Sequence, residues 1–248
     1  MPAFATALGL SLLGSLGGLF VASTLLLFTD KVRTRLLPGL VSYAVGALLG
    51  VALLELLPEA LETLNPPQAF GTLLAGILAF FVFEKLVLLR HCHAEECYVH
   101  DAAAPLVLLG DAFHNFIDGA TICAAVLTSI PLGVNTAIAV AAHEIPQEVG
   151  DVAILLASGY SRGRALMLNV LSGAAGLAGA LLAYAAVGFL PGVRPFILAL
   201  SSASLLYIAM SDLIPGLHRG QADRSPIRQV LLIAAGIGTV VLFERLVG

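Results

Sequence analysis

Two short stretches of this 248-residue chain concentrate side chains that bind metal ions. They contain Asp111, His114, Asn115 and Asp118 in the first, and His143, Glu144, Gln147, Glu148 and Asp151 in the second. Imidazole nitrogens combined with carboxylate oxygens are ligands for Zn²⁺, Fe²⁺, Mn²⁺ or Co²⁺. The residue types therefore predict a divalent-metal site shared by two segments of the chain.

The spacing within each stretch is that of one face of an α-helix. At about 100° per residue, the four polar side chains of the first stretch lie within about 100° of one another. Those of the second stretch from His143 to Glu148 spread over about 140°. Pro146 has no backbone amide, so the carbonyl of Ala142 loses its helical partner. We expect a partly unwound helix here, with a backbone oxygen beside His143.

The composition places these segments in a membrane. Hydrophobic residues make up 59% of the chain and charged residues 11%, whereas soluble domains have about 25% charged residues. The net charge of −4 and the scattered Lys and Arg residues exclude nucleic acid as a partner. Three cysteines, Cys92, Cys97 and Cys123, are too few for a disulfide framework and leave only thiol or metal chemistry.

Eight apolar runs separated by Pro, Gly or charge predict an all-α integral membrane protein, a single polytopic domain over residues 1–248. The runs are 5–28, 40–57, 69–89, 104–128, 135–158, 165–190, 195–216 and 229–247, and we number them helices 1 to 8. An acidic residue at mid-bilayer costs about 2.5–3.5 kcal/mol. The acids of helices 4 and 5 therefore indicate a bound cation or, alternatively, a hydrogen-bonded interior without a ligand.

The distribution of basic residues predicts the orientation of these helices. Ten of the twelve Lys and Arg residues fall on one side, and only Arg194 and Arg245 fall on the other. The positive-inside rule then places the loops after helices 1, 3, 5 and 7 in the cytoplasm and both termini outside. The short loops favour a cell membrane location, in a prokaryotic inner membrane.

Two pairs of short motifs indicate an internal repeat. Residues 55–58 read Glu-Leu-Leu-Pro and residues 212–215 read Asp-Leu-Ile-Pro, while 83–87 and 243–247 both begin Phe-Glu followed by a basic residue. Helices 1–3 and 6–8 would then be inverted copies around helices 4 and 5, as in many transporters. Chance recurrence is the alternative. Glu55 and Asp212 either line an entrance or exit, or lie at the interface in water, which is the simpler interpretation.

The two polar helices resemble a known family. The stretches His114-Asn115-Phe116-Ile117-Asp118-Gly119 and His143-Glu144-Ile145-Pro146-Gln147-Glu148-Val149-Gly150-Asp151 are similar to signatures of the ZIP (Zrt/Irt-like) divalent metal transporters, in the branch with HExPHExGD. The resemblance implies an eight-helix transporter, often a homodimer, without a catalytic cofactor. It implies that Zn²⁺, Fe²⁺, Mn²⁺ or Cd²⁺ moves through the lipid bilayer toward the cytoplasm, with zinc the first expectation, and binds between helices 4 and 5.

Carried over by position, the resemblance implies a main site at His114, Asp118, His143 and Gln147, and a second site at Asn115 and Glu144. The sequence departs from the family twice. Gln147 is a neutral amide where relatives have His or Glu, and Gly176 stands where members with two metals have a Glu in helix 6. We therefore expect one metal per chain, unless Glu144 and Glu148 supply the missing charge.

The predicted loop after helix 3 contains a second group of metal-binding residue types. It includes His91, Cys92, His93, Glu95, Glu96, Cys97, His100 and Asp101. Thiolates and imidazoles are borderline to soft ligands, so this loop could collect exiting metal. A solvated loop with an incidental Cys/His group is an equally good interpretation.

An intramembrane zinc metalloprotease is the alternative from another functional class. The sequence His143-Glu144-x-x-Gln147 is one residue short of the HExxH motif, in which Glu is the general base. The second His is absent, and Pro146 distorts the turn that would place both ligands on one face. We therefore expect transport and no enzymatic activity.

Overall fold

The protein is helical throughout the residues that its computed structural model describes, which are 2–25, 28–89, 103–190, 192–218 and 225–247. These ranges contain eight long helical units, which we label α1 to α8. The units are α1 Pro2–Leu25, α2 Asp30–Gly50 continued by Val51–Leu56 and Leu57–Thr63, α3 Pro66–Leu89, α4 Ala103–Thr128, α5 Ile130–Ala157, α6 Arg162–Gly173 continued by Ala175–Phe189, α7 Arg194–Tyr207 continued by Ile208–Leu213 and Ile214–His218, and α8 Pro226–Val247.

Each unit coincides with one of the predicted apolar runs, and the largest difference in length is in α2. This helix begins at Asp30 and includes Pro38, whereas the apolar run begins at residue 40, because hydropathy does not register a polar first turn. Among the described helices, six are long and apolar enough to cross a membrane: α1, α2, α3, α6, α7 and α8. Helices α4 and α5 have 26 and 28 residues but carry buried polar side chains, so their crossing remains a prediction.

A single residue connects α4 to α5 and thereby brings the two polar helices together. Ser129 lies between Thr128 and Ile130, and its side-chain oxygen accepts a hydrogen bond from the amide of Leu132 at 3.2 Å. Pro131 occupies the first turn of α5, where a missing amide has no consequence. This tight turn makes α4 and α5 antiparallel neighbours.

Besides the interruption of α6 at Ala174, helical irregularity occurs in α2 and α7 and not at Pro146. The α-helix of α5 continues through Pro146, so the partial unwinding that we expected there is not observed. Segments Val51–Leu56 and Ile208–Leu213 are instead π-helical, and each ends two residues before a proline, Pro58 or Pro215. A proline ring crowds the preceding turn, and the wider π-helix accommodates it.

Glycines allow two helix pairs to pack backbone against backbone. A Cβ atom on Gly119 of α4 would lie 1.8 Å from the carbonyl oxygen of Gly176 of α6. One on Gly46 of α2 would lie 2.0 Å from the carbonyl oxygen of Ile233 of α8. Small residues support such close contact between membrane helices. Besides the pairs α4 with α6 and α2 with α8, helix α5 packs on α1 and helix α3 on α7.

Candidate metal centre

Four side chains from α4 and α5 converge on one point. Ligand atoms of His114, Asp118, His143 and Glu144 all lie within 4.8 Å of one another. Asp118, His143 and Glu144 are completely buried, whereas the side chain of His114 is 15% exposed. The sequence placed all four on the polar faces of helices 4 and 5, and the structure brings those faces together.

Five separations between these ligand atoms lie between 2.8 and 3.6 Å, the range expected of donors that share one metal ion. The two imidazole Nε2 atoms are 2.8 Å apart. Asp118 Oδ2 lies 3.2 Å from Nε2 of His143 and 3.4 Å from that of His114. Glu144 Oε1 lies 3.5 and 3.6 Å from the same two atoms. Zinc bonds of about 2.0–2.1 Å separate tetrahedral ligands by roughly 3.3 Å, so the group has the dimensions of a zinc site.

A backbone contact orients one of the imidazoles. His143 Nδ1 lies 3.2 Å from the carbonyl oxygen of Ala139, one turn earlier in α5. With its proton on Nδ1, His143 donates to that carbonyl and leaves the Nε2 lone pair free. Metal-binding histidines are commonly oriented by such a second hydrogen bond. The contact fixes the imidazole of His143 with its Nε2 atom toward His114, 2.8 Å away.

The carboxylates of this group have no conventional hydrogen-bond donors. Neither oxygen of Asp118 or of Glu144 has a hydrogen-bond partner among the described residues. A buried carboxylate without a partner is strongly unfavourable. A dication between the two carboxylates and two imidazoles would supply the missing charge, because the ligands together carry −2.

Gln147 and Asn115 lie beside this group but point elsewhere. The amide nitrogen of Gln147 donates to Asp111 Oδ1 at 3.1 Å, and that of Asn115 donates to the same oxygen at 3.0 Å. Our expectation from the family resemblance was that Gln147 is a ligand of the main site and Glu144 of the second. In the structure, Glu144 is the residue beside the two imidazoles.

A group of three carboxylates adjoins the group that contains the two histidines. Oxygens of Asp111, Glu144 and Glu148 lie within 4.8 Å of one another. All three residues lie on the polar faces predicted from the sequence, but the residue types alone did not indicate that they form a group. The spacing of Glu144 and Glu148, four residues apart on one helix, is the signal that could have suggested it.

We call His114, Asp118, His143 and Glu144 the histidine group. His114 lines a cavity of about 300 Å³, the α3–α7 cavity, from which this group is reached. Its lining includes Asp111, His114, Gln147, Asp151, Glu84, Tyr207 and Asp212. Three phenylalanines, Phe80, Phe83 and Phe113, form an aromatic wall, in which the Phe83 and Phe113 rings stack at 3.9 Å. Tyr207 donates a hydrogen bond to Glu84 and links α7 to α3.

A second cavity of about 310 Å³, the α2–α8 cavity, is acidic. Its carboxylates are Glu55, Glu59, Glu62 and Glu244. The amide of Asn135 donates to Glu55 and, at 3.3 Å, to the carbonyl of Val240. Glu55 is only 6% exposed and so is not an interfacial residue in water, whereas Asp212 is exposed. The His91–Cys97 loop, His100 and Asp101 lie outside the described residues.

Comparisons with known proteins agree with these features. The ZIP Zinc transporter family profile matches residues 89–244, more than half of the chain. Zinc transporter ZIP13 of Pongo abelii is 35% identical over 96% of this chain and 78% of its own length. Human zinc transporter ZIP13 is 32% identical over 96% of this chain and 81% of its own. Human zinc transporter ZIP4 is 30% identical over 84% of this chain and 42% of its own length.

These relatives are named as transporters and come from animals. Their names give no support to the metalloprotease alternative, and their sources give none to a prokaryotic inner membrane. The profile match includes both polar helices, and the similarity to ZIP13 spans nearly the whole sequence. The chain belongs to the ZIP zinc transporter family of multi-pass membrane proteins.

Proposed function

We propose that the protein imports divalent cations, zinc above all, toward the cytoplasm through a site formed by His114, Asp118, His143 and Glu144. The observation that carries the proposal is the convergence of four donor atoms within 4.8 Å of one another, three of them on fully buried residues. Two neutral imidazoles and two carboxylates neutralise a dication, which favours binding in a medium of low dielectric constant. Fe²⁺, Mn²⁺ and Cd²⁺ accept the same ligands.

The proposed protein is one polytopic unit of eight spans, with helices 1–3 and 6–8 as inverted repeats. The two π-helical segments support the repeat, because each stands at the same position relative to Glu55-Leu-Leu-Pro58 and Asp212-Leu-Ile-Pro215. The repeat also relates the pairs of helices that pack together. The pair α2 and α8 is equivalent to the pair α7 and α3, and the pair α1 and α5 is equivalent to the pair α6 and α4.

The two cavities are related by the same repeat. Glu55 and Glu244 line the α2–α8 cavity, and their counterparts Asp212 and Glu84 line the α3–α7 cavity. With both termini outside, the α2–α8 cavity faces outward and the α3–α7 cavity faces the cytoplasm. The acidic outer cavity would attract cations before they reach the site.

An apolar layer separates the outer cavity from the metal site. Asn135, which lines the outer cavity, is eight residues before His143, or about 12 Å along α5. Ala139 and Val140 lie between them and are fully buried, as are Leu48 and Val51 of α2. The site is thus closed toward the outside and open, through His114, toward the cytoplasmic cavity. An ion in this conformation leaves inward.

Uptake by proteoliposomes tests the proposal. We expect purified protein to carry Zn²⁺ into the vesicles, and a panel with Fe²⁺, Mn²⁺ and Cd²⁺ ranks the alternative cargoes. Ca²⁺ serves as a divalent ion that does not favour imidazole ligands. Absence of flux for every transition metal, combined with cleavage of a membrane peptide, would reverse the assignment. We also expect a homodimer, as the family resemblance implies, which the mass of the purified complex measures.

A further inference from the structure

The carboxylate group Asp111, Glu144 and Glu148 has the properties of a second cation-binding position. All three residues are buried, with exposures of 3%, 0% and 0%. Asp111 Oδ2 and both oxygens of Glu144 and Glu148 have no hydrogen-bond partner within the described ranges. Four of these five carboxylate oxygens are thus buried together without donors, and the fifth, Glu144 Oε1, faces only the two imidazoles.

Two amides orient Asp111 toward this position. Asn115 and Gln147 both donate to Asp111 Oδ1, at 3.0 and 3.1 Å. These bonds saturate one carboxylate oxygen and leave Oδ2 available for a ligand. The neutral amide at position 147 therefore has a role as a donor, which an ionised Glu could not fill because its carboxylate only accepts hydrogen bonds.

We propose that Asp111, Glu144 and Glu148 form an all-oxygen station that receives the divalent cation after it leaves the histidine group. Asn115 and Gln147 are positioning residues of this station. The inference rests on the proposed function, and it adds a step between the histidine group and the cytoplasmic cavity.

Glu144 makes a direct transfer between the two positions chemically reasonable. Its carboxylate lies 3.5 and 3.6 Å from the two imidazole nitrogens and also within 4.8 Å of oxygens of Asp111 and Glu148. The ion can keep Glu144 as a ligand while it exchanges imidazoles for carboxylates. Asp111 and Gln147 line the α3–α7 cavity, so the station lies on the way out.

The donor set also determines the order of the two positions. Imidazole favours zinc, whereas carboxylate oxygens alone suit harder ions such as Mn²⁺. Zinc is therefore held less firmly at the station, which suits a site of release. Two dications this close would repel strongly, so the positions are occupied in turn, and the expectation of one ion per chain is unchanged.

Mn²⁺ binding in a protein without the two imidazoles tests the station. We expect the double variant His114→Ala/His143→Ala, purified in detergent, to bind one Mn²⁺ per chain, measured as loss of the free-ion electron paramagnetic resonance signal. Adding Glu148→Gln should weaken this binding at least tenfold. The charge-matched control Asp30→Asn, at the first residue of α2, should leave the Mn²⁺ affinity within about twofold.

Folding of the Glu148→Gln variant can be verified independently. Replacing an unpartnered buried carboxylate by a neutral amide should leave the metal-free melting temperature equal or higher, while the increase in melting temperature caused by Mn²⁺ disappears. Asp111→Asn provides a second variant with the same expected loss of Mn²⁺ binding. In the otherwise wild-type protein, Glu148→Gln should slow Zn²⁺ uptake about tenfold while Zn²⁺ affinity changes less than threefold.

Two results would disprove the proposed station and leave the proposed transport function intact. The first is no Mn²⁺ binding by the double variant while the wild-type protein transports zinc. The second is Mn²⁺ binding that Glu148→Gln leaves unchanged, or that Asp30→Asn weakens equally, since both place the ion elsewhere. Failure of the wild-type protein to transport any divalent ion would instead overturn the proposed function.

Discussion

The identity of the fourth ligand shows what individual residues contribute to this site. The family resemblance implies a ligand at position 147, but Gln147 donates to Asp111 and Glu144 lies beside the imidazoles. Glu144 directly follows His143 in α5, and its Oε1 atom lies 3.5 Å from Nε2 of His143 and 3.6 Å from Nε2 of His114. A carboxylate there gives the site a charge of −2, where the amide would give −1.

Removing one ligand should abolish transport without unfolding the protein. We expect His114→Ala, Asp118→Ala or His143→Ala to lower Zn²⁺ uptake at least tenfold, because each removes one donor from a four-atom site. The control His218→Ala changes an exposed histidine near the end of α7 and should retain the wild-type rate. Size-exclusion profiles establish folding. Wild-type rates in all three ligand variants would disprove the site.

Comparing Glu144→Gln with Gln147→Ala decides which residue is the fourth ligand. We expect Glu144→Gln to weaken Zn²⁺ binding at least tenfold, since it removes a charged donor beside both imidazoles. Gln147→Ala should weaken it less than threefold, because its amide bonds Asp111 instead. Calorimetric titration with Zn²⁺ measures both. The reverse order would favour the ligand set implied by the family signature.

Protons should compete with the metal. Histidine binds metal only when it is neutral, and its ordinary pKa is about 6.5. Zn²⁺ affinity should therefore fall as the pH is lowered, since protonation of an imidazole removes the lone pair that binds the metal. Titration with Zn²⁺ at pH 7 and pH 5 measures the change. Equal affinities at the two values would contradict two imidazole ligands.

At the scale of the helices, glycine contacts between backbones hold α2 against α8 and α4 against α6. Gly46 and Gly119 each face a carbonyl oxygen so closely that a methyl group cannot fit without displacing backbone. The α4 contact matters for the site, because Gly119 directly follows the ligand Asp118. Helix packing thereby determines where the ligand lies.

Filling the α2–α8 contact should destabilise the protein. In Gly46→Ala, the new Cβ would lie 2.0 Å from the Ile233 carbonyl oxygen, and overpacking typically costs about 1–3 kcal/mol. We expect a clear fall in the melting temperature measured in detergent. Gly238→Ala is the matched control, because a Cβ at Gly238 meets nothing within 4 Å. Equal melting temperatures for the two variants would contradict the tight contact.

At the scale of the whole molecule, orientation decides which cavity is the entrance. The distribution of Lys and Arg predicts that the loop after helix 3, with Cys92 and Cys97, lies in the cytoplasm. An impermeant thiol reagent should label these cysteines in inside-out vesicles at least tenfold more than in right-side-out vesicles. Cys123 is 1% exposed, so Cys92→Ser/Cys97→Ser should abolish labelling. Preferential labelling of right-side-out vesicles would reverse the assignment of the two cavities.

The sequence by itself determined the helical class, the positions of the helices and the polar residues of α4 and α5. Hydropathy and helical spacing are local properties, and eight apolar runs correspond to α1 to α8 within a few residues, apart from the first turns of α2. The ligand types were equally local, because His114, Asp118, His143 and Glu144 stand out against an apolar background.

Only the tertiary structure decided how these residues combine. Whether Glu144 or Gln147 faces the imidazoles depends on how α5 is rotated against α4, and a single sequence does not encode that angle locally. The grouping of Asp111 with Glu148, the burial of Glu55 and the π-helical turns before Pro58 and Pro215 likewise depend on neighbouring helices. Composition predicts which side chains must be buried, but contacts between distant helices determine which partner each one meets.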